Sequence, residues 1–83
     1  MPLADLTDTE LLAALAMHPN APSVRFYADG GVRRVHAGKL DAAELRHAAQ
    51  NEHRDVRQGP GFIAAAFYDM PNDVDVYIVA RAP

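Results

Sequence analysis

Cysteine is absent from this chain of 83 residues. A disulfide-stapled fold, a thiol nucleophile and a thiolate metal site are therefore all excluded. The longest uninterrupted apolar run is the segment 62–68, which is far short of the roughly 20 residues needed to span a bilayer. The opening residues show no signal-peptide pattern. We therefore expect a cytoplasmic protein that makes no membrane contact.

Basic charge is also scarce, since eight Lys and Arg residues stand against eleven Asp and Glu, for a formal net charge of −3. A nucleic-acid-binding domain usually carries a basic excess, so nucleic acid is a disfavoured partner. The bases are concentrated in residues 25–57, which hold seven of the eight. The hydrophobic fraction of 49% is typical of a globular protein. The length predicts one domain over residues 1–83.

Two helix starts are the clearest local signals in the sequence. Thr7 and Glu10 have the spacing of a capping box, in which each side chain accepts a hydrogen bond from the other's backbone. Asp41 and Glu44 repeat this spacing. We therefore predict helices that begin at about residues 8 and 42. The first should end near His18, before a proline, and the second should fray near residue 57, before the Gly-Pro-Gly at 59–61.

A hairpin signature follows each predicted helix. Residues 23–37 alternate around two glycines, and a turn centred on Gly30-Gly31 pairs Phe26 with Val35. Residues 62–80 form the stronger hairpin, in which Met70-Pro71-Asn72-Asp73 predicts a type I turn. Its register places Phe67 against Val76 and makes one face wholly apolar. We predict an α+β fold of order αββαββ, a two-layer domain whose four-stranded antiparallel sheet carries both helices on one face.

The opposite face of the second hairpin is also largely apolar. Two short helices cover only part of a four-stranded sheet, so an uncovered patch here would be a protein-docking surface. The alternative is that a helix covers this face, and the sequence leaves the two open. The predicted interface residues are Phe62, Tyr68, Asp75, Tyr77 and Val79.

The function predicted from this patch is a small, non-catalytic protein-binding domain. Such a domain would be an inhibitor or adaptor that docks on a larger protein complex, and it could also form a homodimer. Small stand-alone inhibitors include phage-encoded anti-defence proteins such as anti-CRISPR proteins. No motif links this chain to them, so that class is a hypothesis from size alone.

A second candidate surface lies on the first hairpin, where the predicted register gathers Arg25, Tyr27, Arg34 and His36 on one face. An RNA-binding sheet stacks bases on aromatic rings and holds phosphates with arginine. This set is therefore a candidate contact for RNA or for a protein partner. A small nuclease or hydrolase centred on His36 is a third hypothesis, although no local spacing places a carboxylate beside His36.

The remaining motifs predict no catalytic site, metal site or cofactor. Glu44 and His47 share a helix face, but the di-iron bundles that use this spacing need it twice, on long helices. Asp69, Asp73 and Asp75 lack the tight glycine-containing loop of a calcium site. We therefore expect a protein that is not an enzyme.

Overall fold

The computed structural model describes residues 3–29 and 32–82. Helix α1 spans Asp8–Ala16 and α2 spans Ala42–Asn51, and short 3-10 helices cover Leu3–Asp5 and Met70–Asn72. The strands are β1 (Ser23–Asp29), β2 (Val32–Gly38), β3 (Val56–Gly59), β4 (Phe62–Asp69) and β5 (Val74–Arg81). The predicted α+β class, with two helices and an antiparallel sheet, is confirmed. The turn predicted at Gly30-Gly31 lies outside the described residues.

Both helices begin where the capping boxes predicted. In α1 the Glu10 amide donates to Thr7 Oγ1 at 3.1 Å, and the Thr7 amide donates to Glu10 Oε1 at 3.3 Å. In α2 the corresponding distances between Asp41 and Glu44 are 2.8 and 3.0 Å. These reciprocal bonds satisfy amides that otherwise have no partner inside the first turn of a helix.

The sheet contains five strands rather than four, in the order β2-β1-β5-β4-β3. The additional strand is β3, where the sequence predicted the frayed end of the second helix. Helix α2 instead ends at Asn51, and Val56 pairs with Ala65 on β4. Pro60 and Gly61, which has a φ of 80°, join β3 to β4 with the residue types of a type II turn. The Gly-Pro-Gly segment therefore forms the turn of a hairpin, in which Gly59 pairs with Phe62.

The registers of both predicted hairpins are confirmed. Phe26 pairs with Val35 on β2, and Phe67 pairs with Val76 on β5. The β4–β5 turn places Pro71 in a 3-10 turn that ends at Asp73, in the left-handed region. Because side chains alternate between the two faces of a strand, these registers also fix which residues share a face.

The two helices do not share a face of the sheet, which corrects the predicted two-layer arrangement. Residues of α1 lie in one core cluster with Phe62, Ala64, Tyr77 and Val79. Residues of α2 lie in a second cluster, formed by the intervening positions of the same strands: Ile63, Ala65, Val76, Ile78 and Ala80. Since successive strand residues point to opposite sides, each helix packs on a different face.

Candidate binding surface

The predicted docking patch on the second hairpin is mostly core. Phe62, Tyr77 and Val79 are fully buried within the single chain, in the cluster that includes α1. The Tyr77 ring stacks on Phe26 with centroids 5.4 Å apart, and burial raises the pKa of its hydroxyl. Helix α1 covers this face, which is the alternative that the sequence left open. These three residues cannot present a docking surface in this fold.

Two of the five predicted interface residues remain accessible, beside the tip of the β4–β5 hairpin. Tyr68 is 43% exposed, and its hydroxyl donates a hydrogen bond to Asp73 Oδ1. That bond, together with the nearby carboxylates, raises the pKa of Tyr68. Asp69 Oδ2 accepts from Asn72 Nδ2 at 2.9 Å, and Asp75 is half-buried. The side chains at the tip thus bind one another and stabilise the turn.

The four residues of the second candidate surface lie together as the sequence predicted. Arg25 pairs with His36, and Tyr27 pairs with Arg34, across β1 and β2. Arg25, Arg34 and His36 are exposed, whereas Tyr27 is half-buried. We call this set, Arg25, Tyr27, Arg34 and His36, the basic face. It lies on the same side of the sheet as α2, because Tyr27 packs against the α2 cluster.

The basic face is open because of where α2 lies. Helix α2 packs against β4 and β5, at the opposite side of β1 from β2. A helix is about 10 Å wide, whereas five strands at about 4.8 Å spacing span about 19 Å. One helix therefore leaves part of its face uncovered, and here the uncovered part is β1 and the edge strand β2.

The arginines of the basic face have no acidic partner among the side chains that the structure describes. The ion pairs in that part of the chain join Arg54 to Glu52 at 3.7 Å and Arg57 to Asp8 at 3.4 Å. Arg81 is occupied as well, because it donates to the Leu15 and His18 carbonyls. The guanidinium groups of Arg25 and Arg34 are thus available to an external acceptor.

The histidines do not form a metal site within the described residues, where no group of three or more potential ligands occurs. His18 Nε2 lies 3.2 Å from the Val35 carbonyl oxygen, and this contact links the segment after α1 to β2. His47 Nε2 lies 3.0 Å from Asn51 Nδ2 on the same helix. His36, the residue of the nuclease hypothesis, hydrogen-bonds to no carboxylate in the described part of the chain.

Comparison with models of known protein families finds no match, and no curated protein or solved structure matches the chain. Of the helices in the described residues, none is long and apolar enough to cross a membrane.

Proposed function

We propose that this chain is a small non-catalytic protein-binding domain. Its basic face binds an acidic surface of a partner protein. The observation that supports it is the placement of Arg25, Arg34 and His36 side by side and exposed on neighbouring strands. Arginine supplies planar, charge-assisted hydrogen bonds to carboxylates. It is also among the residues that contribute most to protein interfaces.

A protein partner suits this face better than RNA does. Recognition of single-stranded RNA on a sheet depends on exposed aromatic rings on which bases stack. The one aromatic ring of the basic face belongs to Tyr27, and it is half-buried against the α2 cluster. The chain's net charge of −3 also opposes a long polyanion, whereas a local acidic patch on a protein is attracted by the local field.

We further propose that the partner is a different protein and not a second copy of this chain. This chain would then act as an inhibitor or adaptor of that protein. The apolar face that suggested a homodimer is buried within the chain. Two copies joined through their basic faces would bring arginines against arginines, and like charges across an interface are costly. An inhibitor of this kind acts by occupying an acidic surface that the larger complex needs.

Affinity capture with charge-reversal variants tests the proposal. The Arg25→Glu/Arg34→Glu chain is compared with Arg46→Glu/Arg54→Glu, which makes the same charge change at exposed positions outside the basic face. Each chain is immobilised and then incubated with nuclease-treated extract of the cells that encode the protein. We expect a protein retained by the wild-type and control chains to be lost from the basic-face variant, with a drop in affinity of at least tenfold.

The same experiment can contradict the proposal in two ways. Equal capture by all three chains would show that the basic face does not bind the partner. A parallel capture from untreated extract completes the test: capture that occurs only there, with a steep salt dependence, would favour the RNA-contacting hypothesis instead. Circular dichroism of each variant before capture separates lost binding from lost folding.

A further inference from the structure

The outer edge of strand β2 is open to pairing with a further strand. β2 is a terminal strand of the sheet, and its register with β1 runs without a bulge from Val32 to Gly38. Edge strands are usually protected by shortness, proline or a bulge. The other terminal strand, β3, is four residues long, whereas β2 is seven residues long and contains no proline. Of the two edges of the described sheet, β2 therefore offers the longer and more regular one.

Alternate residues of β2 direct their backbone groups away from the sheet. The Arg81 amide donates to the Pro22 carbonyl at 3.1 Å, so even-numbered residues of β1 face β5 and odd-numbered residues face β2. The β1–β2 register then leaves the N–H and C=O groups of Val35 and Ala37 facing outward. His18 Nε2 contacts the Val35 carbonyl oxygen at 3.2 Å, which agrees with that direction. Because a carbonyl oxygen accepts two hydrogen bonds, the edge keeps donors and acceptors for a new strand.

The two sides of this edge differ in their chemistry. On the α2 side lie Arg34 and His36, which are exposed members of the basic face. On the α1 side the edge meets a mainly apolar recess of about 340 Å³ beside Ala37. Met17, which is 62% exposed, contributes to this recess. The other lining residues are His18, Pro19, Asn20 and Ala21. A strand added to β2 would therefore meet positive charge on one side and apolar surface on the other.

We infer that the outer edge of β2 binds an extended acidic segment of the partner protein as a sixth strand, with carboxylates beside Arg34 and His36 and an apolar side chain against Met17. This inference rests on the proposed function and specifies how the partner is held. In strand addition, backbone hydrogen bonds supply affinity and alternate side chains supply specificity. Cross-strand pairs of opposite charge stabilise a sheet, whereas like charges destabilise it. A second copy of this chain would set its own basic strand against Arg34 and His36, so it is the disfavoured occupant.

The probe is a synthetic heptapeptide, Thr-Glu-Val-Asp-Val-Glu-Thr with both ends blocked, in which carboxylates alternate with valine. Backbone amide signals of the isotope-labelled chain are followed by NMR during titration at constant ionic strength. We expect saturable shifts at residues 33–38 and 17–21, with a dissociation constant on the order of 0.1–1 mM. The amides of Val35 and Ala37 should exchange with solvent more slowly in the complex, because each gains a hydrogen-bond partner.

Two N-methylated forms of the heptapeptide test the backbone pairing without any change to the protein. One carries N-methyl groups on both valines, and the other carries them on the three acidic residues. Because alternate amides of an extended strand point to opposite edges, one form should bind at least about tenfold more weakly and the other within about threefold of the parent. Equal effects of the two forms would overturn the inference.

Variants of the chain locate the contacts. Ala37→Pro removes the outward amide, and proline is tolerated in an edge strand where the N–H faces solvent. It should weaken peptide binding about fivefold or more, whereas Ala37→Ser keeps the amide and should bind within about twofold. Arg34→Gln should weaken binding by a similar factor, and Arg46→Gln should leave it unchanged. Circular dichroism verifies the fold of each variant.

The outcome is separable from the test of the proposed function. No saturable binding of the heptapeptide, or unchanged binding in a folded Ala37→Pro chain, would overturn the strand addition. Capture that still depends on Arg25 and Arg34 would then leave the proposed function in place, with the partner held by side chains alone. Conversely, alternating sensitivity to N-methylation, with capture unaffected by Arg25→Glu/Arg34→Glu, would support the edge site and contradict the proposed partner contact.

Discussion

Arg25 and Arg57 show that arginine has two different roles in this protein, one at an exposed surface and one within the fold. The Arg57 guanidinium donates to the Leu6 and Leu3 carbonyl oxygens, each at 2.6 Å. It thereby fastens the N-terminal 3-10 helix and the start of α1 to the edge strand β3. Arg25 makes no such bond to the described residues and points its charge outward. The sequence does not distinguish these two roles, because the carbonyls that Arg57 binds are about 50 residues away along the chain.

Replacing Arg57 with lysine should test the structural role. Lysine keeps the charge but lacks the planar fork that reaches two carbonyls together. We expect Arg57→Lys to lower the free energy of unfolding by about 1.5–3 kcal/mol, the usual contribution of a hydrogen bond to a charged group. Urea unfolding followed by circular dichroism measures it.

The matched control for this substitution is Arg54→Lys. Arg54 is exposed and makes one surface ion pair with Glu52, so the change should stay within about 0.5 kcal/mol. A similar stability for Arg57→Lys and Arg54→Lys would mean that the two carbonyl bonds contribute little.

At the scale of elements, the β3–β4 hairpin depends on the close approach of Gly59 and Phe62. The two residues pair across the hairpin, and a Cβ at Gly59 would overlap the Phe62 ring. Phe62 is fully buried in the cluster that includes α1. The ring lies over the glycine, so the short edge strand and the core are coupled through this pair.

Gly59→Ala should therefore destabilise the fold by about 1–3 kcal/mol, because the added methyl group displaces a packed ring. Gln58→Ala, at an exposed position of the same strand, is the control and should change stability by no more than about 0.5 kcal/mol. Thermal unfolding of the three chains gives the comparison. A Gly59→Ala chain as stable as the wild type would show that Phe62 does not pack on Gly59.

The elements that the sequence predicted correctly are those with local causes. Thr7 with Glu10, and Asp41 with Glu44, interact within one helical turn, and the hairpin registers follow from short turns. Strand β3 was missed because Val56–Gly59 is four residues long and shows little apolar alternation. The Pro60-Gly61 pair was the available signal, since proline followed by glycine is typical of a type II turn.

The side of the sheet that each helix covers could not be predicted in this way. The positions of β4 on both faces are largely apolar, so its pattern suits a strand buried on both sides as well as one with an open face. Of the predicted interface residues, Phe62, Tyr77 and Val79 are therefore core residues of a sheet covered on both faces there. The basic face was predicted because Arg25, Tyr27, Arg34 and His36 follow from a single hairpin register.

At the scale of the whole molecule, one helix on each face suffices to bury the centre of a small sheet. The molecule extends over 32 × 28 × 21 Å, and its apolar residues are concentrated on β4 and β5, between the helices. Strand β2 remains at the sheet edge, and its basic side chains lie on the α2 side of the sheet, beyond the part that α2 covers. An overall acidic chain thus presents a local basic surface, which suits recognition of an acidic patch on a partner.

Arginine footprinting of the captured complex tests this account most directly. The free chain and the complex retained from nuclease-treated extract are treated with phenylglyoxal, and the modified arginines are located by mass spectrometry. The account predicts that Arg25 and Arg34 lose their reactivity in the complex, whereas Arg46 and Arg54 keep theirs. Undiminished modification of Arg25 and Arg34, with protection at Arg46 or Arg54, would contradict it.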